Sequence, residues 1–173
     1  AEAYVKAVPQ DKKSMLAYLK HGNIAGISAK RAELIIDKFG DNAFDVLVYQ
    51  PHLLEGIRGI GKKTIEKIKV SAKDKLETQN MIAQIMRYIQ GFDISPAYSN
   101  KIYKQYGLDS IKVLKENPYR LADDITGVGF LKADEIALKN GIPETSPFRV
   151  ESAVLYILKQ MNKEGDVFSY IQD

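Results

Sequence analysis

Two glycines that flank one apolar residue stand directly before a lysine pair at Gly59-Ile60-Gly61. In a turn that opens a helix, the first glycine permits a positive φ, the apolar residue fills the space between two helices, and the second glycine leaves the backbone open. The first N–H groups of such a helix have no intrahelical acceptor, and the helix dipole adds partial positive charge. We therefore predict phosphate binding there. The residues expected to take part are Gly59, Gly61, Lys62, Lys63, Thr64 and Lys67.

Similar turns occur at Gly26-Ile27-Ser28 and at Gly127-Val128-Gly129. Ser28 replaces the second glycine, which narrows the approach to the backbone but adds a hydroxyl donor. The Gly127 turn is followed by apolar residues before its first lysine, so its charge is weaker. The residues predicted to contact phosphate at these two turns are Gly26, Ser28, Lys30, Arg31, Gly127, Gly129 and Lys132.

A fourth turn, Asp93-Ile94-Ser95-Pro96, belongs to the same series but has lost both glycines. It carries an acidic residue and a proline, which has no N–H to offer a phosphate. We predict that this turn is structural only.

The four turns mark a duplication. Residues 27–54 align with 94–121, and after one inserted residue 57–68 aligns with 125–136. Matches such as Gly40 with Gly107 and Pro51 with Pro118 are turn positions, which indicates a repeated structural unit. The sequence therefore predicts two copies of a four-helix unit.

Apolar periodicity and capping residues predict helix for nearly the whole chain. Asp11 and Ser28 are expected N-caps, and we expect a break near Ala72 between helices over 62–70 and 76–90. A last helix is expected over 147–163. Residues 166–171 and 1–8 have strand character, as in an excised piece of a longer protein or, alternatively, as frayed termini.

The positive charge of the chain is concentrated in one segment. Residues 58–75 hold seven basic and two acidic residues, whereas the whole chain has a net charge of only +3. The rest is therefore net acidic. A solvated helix face would explain a lysine-rich run equally well, so the charge supports phosphate binding only together with the adjacent turn.

Several other chemistries are excluded. The chain has no cysteine, which removes disulfides, thiolate zinc sites and cysteine nucleophiles, and no apolar stretch approaches the roughly 20 residues of a membrane span. Lys63 occupies the position where an ATP-binding phosphate loop needs Ser or Thr. His21 and His52 have no ligand partners at metal-binding spacing. Tyr103 and Tyr106 align with core positions, which favours packing over base stacking.

The turns resemble the helix-hairpin-helix family of DNA-binding motifs, whose pattern is hxGhGxxxA. Gly127, Gly129 and Ala133 fit it fully, whereas Ile65 departs from it in the Gly59 hairpin. The resemblance implies an all-α fold of tandem duplicated helix-hairpin-helix units, SAM-domain-like, followed here by a C-terminal helix and a short strand. It also makes glycosylase activity unexpected, because Asp74 lies too near its hairpin to be the catalytic aspartate of the glycosylase members.

Residues 95–142, with Asn117-Pro118-Tyr119-Arg120-Leu121 between two hairpins, closely resemble the N-terminal region of bacterial RecD-like (RecD/TraA type) ATP-dependent DNA helicases. The resemblance implies residues 1–10 as the remnant of a β domain, 11–75 and 76–142 as two hairpin pairs, and 143–173 as a helix and strand leading to motor domains. ATP and magnesium would bind those motor domains, and no cofactor is expected in this segment.

The resemblance implies a non-sequence-specific DNA-binding accessory region of a 5′–3′ helicase of repair or recombination, without catalysis of its own. Single-stranded, duplex and junction DNA all remain open as partners, together with the rest of the helicase chain. A cytoplasmic, nucleoid-associated location in a bacterium follows. The alternative is a protein-docking or interdomain scaffold whose glycines serve only to make tight turns.

Overall fold

A computed structural model describes residues 8, 9 and 11–164, and within these residues the chain is helical and contains no strand. The predicted all-α fold is confirmed, whereas the strand predicted at 166–171 and all but Val8 of the one at 1–8 lie outside the described residues. The α-helices are α1 Lys12–Lys20, α2 Ala29–Phe39, α3 Ala43–Tyr49, α4 Lys62–Gln90, α5 Tyr98–Tyr106, α6 Ser110–Glu116, α7 Arg120–Asp124, α8 Phe130–Lys139 and α9 Pro147–Glu164.

Local capping accounts for where the first two helices begin. The Asp11 carboxylate accepts a hydrogen bond from the Ser14 amide at 2.9 Å, and the Ser28 hydroxyl accepts one from the Arg31 amide at 3.4 Å. Each satisfies an amide that has no partner inside the helix. Both predicted N-caps are confirmed.

The chain forms two compact units, residues 1–80 and 81–173. The first unit contains α1 to α3 and the first part of α4. Its fully buried side chains include Leu19, Ile35, Leu47, Leu54 and Ile68, which come from each of these helices and from the short 3-10 turn Pro51–Leu54. Burial of this apolar set is the main force that holds these five segments together.

The second unit contains the end of α4 and α5 to α9. Ile89, Ile102, Leu114, Leu121 and Ile136 form its core. A smaller cluster consists of Tyr119, Ala133 and Ala137, with Phe130 packed against it.

The duplication is visible in the backbone. Gly40 and Gly107 both end a helix with φ of 56° and ψ of −130°, and each is followed by a 3-10 turn, Gly40–Asn42 or Gly107–Asp109. Because only glycine adopts this conformation readily, both copies keep it at the same place.

The expected break near Ala72 is wrong, because α4 runs without interruption over Lys62–Gln90. No glycine or proline interrupts this range. Ala72 is fully buried in the first unit, and the Ser71 hydroxyl accepts a hydrogen bond from the Ala25 amide at 2.9 Å. Tertiary packing therefore continues the helix through Ser71 and Ala72, where the sequence predicts a break.

Candidate nucleic-acid interface

The repeated turns share one backbone conformation. Their first residues have positive φ: Gly26 89°, Gly59 85°, Gly127 96° and, in the fourth turn, Asp93 51°. The apolar residue that follows is buried in every case, at Ile27, Ile60, Ile94 and Val128. The sequence therefore predicted correctly the positive φ of the glycine turns and the burial of the apolar residue that lies between the two helices.

The Gly59 turn presents an open helix N-terminus. The Gly61 carbonyl accepts the amides of Thr64 at 2.8 Å and Ile65 at 3.0 Å, so the amides left without a backbone acceptor are those of residues 61–63. A Cβ built on Gly61 would meet no atom within 4 Å. An anion can therefore approach this backbone directly.

Charge surrounds this open end. Lys62, Lys63 and Lys67 are exposed, and none of the ion pairs in the described part of the chain involves them. Lys69 is partly neutralised, because its ammonium lies 3.5 Å from the Glu66 carboxylate. Thr64 faces inward instead, since its methyl group lies 3.5 Å from the Cβ position of Gly26.

Within the Gly26 turn, Gly26 itself packs against α4. A Cβ on Gly26 would lie 3.2 Å from Ile68 Cγ1. The predicted phosphate contact of the Gly26 backbone stays a prediction, and Ser28 and Lys30 of the same hairpin are exposed.

Arg31 connects the two turns of the first unit. Its Nη1 donates to the Gly26 carbonyl at 2.9 Å, and its Nε lies 3.8 Å from the Cβ position of Gly59. The two hairpin turns thus open onto a common cleft of about 350 Å³. The cleft is lined by Ser28, Lys30, Arg31, Leu34, Arg58 and Gly59.

Arg58 is the residue that sequence reasoning left out of the site. It belongs to the basic run, but nothing in the turn pattern assigns it a role. The structure places it in the cleft with Lys30 and Arg31, and no acidic residue lines that cleft. Its position immediately before the first glycine of the best turn is the signal that would have found it.

The Gly127 turn has the same backbone but a different environment. A Cβ on Gly129 would meet nothing within 4 Å, as at Gly61, but Gly127 is covered by the Tyr98 ring, whose hydroxyl donates to the Gly127 carbonyl at 3.1 Å. Phe130, at the position of Lys62, stacks between Tyr119 and Tyr156. The start of α8 is therefore packed against aromatic rings, whereas the equivalent position at the start of α4 carries an exposed lysine.

The cation predicted for this turn is already engaged. The Lys132 ammonium lies 3.3 Å from the Glu135 carboxylate and 3.5 Å from the Phe92 carbonyl. Hydrogen bonds from the Lys139 and Lys132 ammonium groups lower the pKa of Glu135, so the Glu135 carboxylate stays charged beside the two lysines. This hairpin offers a phosphate less free charge than the Gly59 hairpin does.

Tyr103 and Tyr106 pack against the second core, as expected. Burial, together with a hydrogen bond from its hydroxyl to the Asp124 carboxylate, raises the pKa of Tyr106. Within the described residues, no group of three or more His, Asp or Glu side chains could hold a metal ion. No described helix is both long enough and apolar enough to cross a bilayer.

Comparison with known families fits this geometry. Residues 78–168 match the model of the ATP-dependent RecD2 DNA helicase HHH domain, and residues 22–74 match that of the SAM-like helix-hairpin-helix tandem. The chain belongs to the RecD2 helicase helix-hairpin-helix family. The predicted resemblance and the tandem helix-hairpin-helix fold are therefore confirmed.

A RecD2-family relative shows how the chain compares in length. The ATP-dependent RecD2 DNA helicase of Deinococcus radiodurans is 26% identical over 157 residues, which cover 90% of this chain and 21% of the relative. The chain thus spans about a fifth of the length of this curated relative. No solved structure matches.

Proposed function

We propose that this chain is the DNA-binding accessory region of a RecD-like 5′–3′ ATP-dependent DNA helicase of repair or recombination. The first unit grips the sugar-phosphate backbone, with the open amides of residues 61–63 and the cations Lys62, Lys63 and Lys67. The observation that carries the proposal is the open N-terminus of α4 beside lysines that form no ion pair in the described part of the chain.

The cleft between the Gly26 and Gly59 turns extends the proposed DNA-binding surface of the first unit. Lys30, Arg31 and Arg58 line it, and the exposed Ser28 hydroxyl lies at its edge. These groups recognise phosphate charge and carry no pattern that distinguishes one base from another. Binding is therefore independent of sequence. ATP and magnesium act in the motor domains of the parent protein, which would work in the bacterial cytoplasm at the nucleoid.

The Gly127 hairpin is a weaker candidate for phosphate binding than the Gly59 hairpin. Gly127, Gly129 and Lys132 of the second unit retain the turn and one cation, but Tyr98 covers Gly127 and Glu135 pairs with Lys132. We expect their contribution to DNA affinity to be smaller than that of the Gly59 hairpin.

A pair of matched variants tests this assignment. Gly61→Asp/Lys62→Glu places acidic groups at the open end of α4, and Gly129→Asp/Lys132→Glu makes the same change in charge at α8. Fluorescence anisotropy with labelled single-stranded, duplex and forked oligonucleotides of two unrelated sequences measures binding. We expect the first variant to lose binding to every substrate and the second to retain most of it, with thermal unfolding confirming that both fold.

Two results would refute the proposal. One is the absence of binding by the native chain at low salt. The other is undiminished binding by a folded Gly61→Asp/Lys62→Glu variant.

A further inference from the structure

Within the described residues, one face of helix α9 packs against α8, and an apolar stripe on another face stays exposed. On the inner face, Ser152 is buried and Tyr156 stacks on Phe130 of α8 with ring centroids 5.3 Å apart. The outer stripe keeps about half of its surface exposed: Val150 54%, Val154 50% and Ile157 55%. Spacings of three and four residues put these side chains in one line along the helix.

The stripe belongs to a larger exposed set. The large apolar residues of α9 that remain exposed are Phe148, Val150, Val154, Leu155, Ile157 and Leu158. Single exposed apolar residues are common on soluble proteins, but a contiguous group marks an interaction surface. A helix that is apolar on nearly all sides is normally covered on more than one of them.

We propose that the outer face of α9 docks into an apolar groove on another domain of the parent helicase chain. This inference rests on the proposed function, because it requires the longer parent protein. The relative from Deinococcus radiodurans has about four-fifths of its length outside the matched region, which leaves ample chain to supply the groove.

The size of the face favours a tethered domain over a separate molecule. A stable complex of two free proteins buries about 1,200–2,000 Å² in total, with roughly 20–30 residues from each side. One stripe of a single helix offers far fewer residues. A domain in the same chain is present at an effective concentration of about millimolar, so a small apolar face is sufficient.

Hydrogen exchange of the α9 amides tests the docking. It is measured in the 173-residue chain and in the full-length parent protein. We expect exchange in the parent to be at least about tenfold slower, because docking opposes local unfolding of the helix. Val154→Gln/Ile157→Gln should abolish the difference, since glutamine keeps the helix and the net charge but removes the apolar contact.

The matched control is Val70→Gln/Leu108→Gln, which changes two residues outside α9 that are similarly exposed, at 52% and 61%. We expect this control to preserve the slow exchange in the parent. Equal α9 exchange in the two chains would overturn the proposal. If α9 exchange in the 173-residue chain became slower as the protein concentration rose, the face would bind a second copy of the chain. That result would also overturn the proposal.

Oligonucleotide binding separates this inference from the proposed function. Val154 and Ile157 lie in the second unit and take no part in the proposed phosphate contacts, so their double variant should bind DNA like the native chain. Failure of DNA binding with slow α9 exchange would refute the DNA role alone. Normal DNA binding with equal exchange would refute the docking alone.

Discussion

At the scale of single residues, the glycines of the repeated turns differ in what faces them. Gly61 faces open space, Gly26 faces Ile68 of α4, and Gly127 faces the Tyr98 ring. The backbone is open at Gly61, as it also is at Gly129, whereas Gly26 and Gly127 make close packing possible. Glycine therefore has a packing role at the first position of these turns, and at Gly61 its role in phosphate binding is a proposal.

Alanine at these glycines should separate the two roles. Gly26→Ala forces a side chain into a positive φ of 89° and within 3.2 Å of Ile68, so we expect a loss of about 1–3 kcal/mol of unfolding free energy. Gly61→Ala meets no neighbour and should change stability little. Denaturant unfolding of both variants measures this difference, and an equal loss at the two positions would contradict the assigned environments.

Arg58 gives a second test at this scale. We expect Arg58→Gln to weaken oligonucleotide binding to the same extent for unrelated sequences and to make its dependence on salt shallower by about one unit of log–log slope, as removal of one phosphate contact should. Arg87→Gln is the control, because it removes an exposed arginine from α4 outside the cleft. Equal effects of the two substitutions would show that the cleft has no special role.

At the scale of the elements, an ionic contact fixes α9 to α8. Arg149 donates to both oxygens of Asp134, at 2.7 and 3.0 Å, and the Tyr119 hydroxyl donates to the same carboxylate at 2.8 Å. The hydrogen bonds from Arg149 lower the pKa of Asp134. Burial and the neighbouring carboxylate raise the pKa of Tyr119 to about 12. Asp134 is thus ionised and Tyr119 protonated across the neutral range.

Asp134→Asn should remove part of the acid dependence of stability. Because the pKa of Asp134 is lower in the folded state, its contribution is fully present above the unfolded pKa of about 4 and is lost as the pH falls through the folded pKa. We expect the variant to be about 2 kcal/mol less stable than the native chain at pH 7, and we expect this difference between the two chains to be smaller at pH 3. Thermal unfolding at both pH values tests this.

Glu33→Gln is the matched control, because Glu33 also pairs with a cation, Lys20, but is exposed. It should change stability little at either pH. An identical pH profile for Asp134→Asn and the native chain would contradict the assigned role of the carboxylate.

Much of the element structure could be predicted from the sequence, because turns and caps depend on local chemistry. The glycine turns, the Asp11 and Ser28 caps and the duplication were all readable. The continuity of α4 past Ala72 was not, because it depends on burial against another hairpin. Tyr98 covers Gly127, and Glu135 pairs with Lys132. Neither contact could be predicted, because the spacing of residues within a motif does not show which side chains from elsewhere pack against it.

At the scale of the whole molecule, the two copies of the repeated fold carry different surfaces, one basic and one apolar. The first unit places Lys30, Arg31 and Arg58 in one cleft, next to the lysines that follow Gly61. The second unit engages Lys132 and Lys139 with Glu135 and exposes an apolar stripe on α9. A net charge of only +3 is therefore compatible with DNA binding, because the charge that matters is local.

The salt dependence of DNA binding tests the central claim most directly. Contacts with about two phosphates at each of two or three hairpins predict a log–log slope of roughly −3 to −5 for duplex DNA. Two variants that remove the same charge are compared with the native chain. We predict a slope shallower by about one to two units for Lys62→Gln/Lys63→Gln and a smaller change, of less than about one unit, for Lys132→Gln/Lys139→Gln. Equal changes in both variants, or no binding at low salt, would contradict the account.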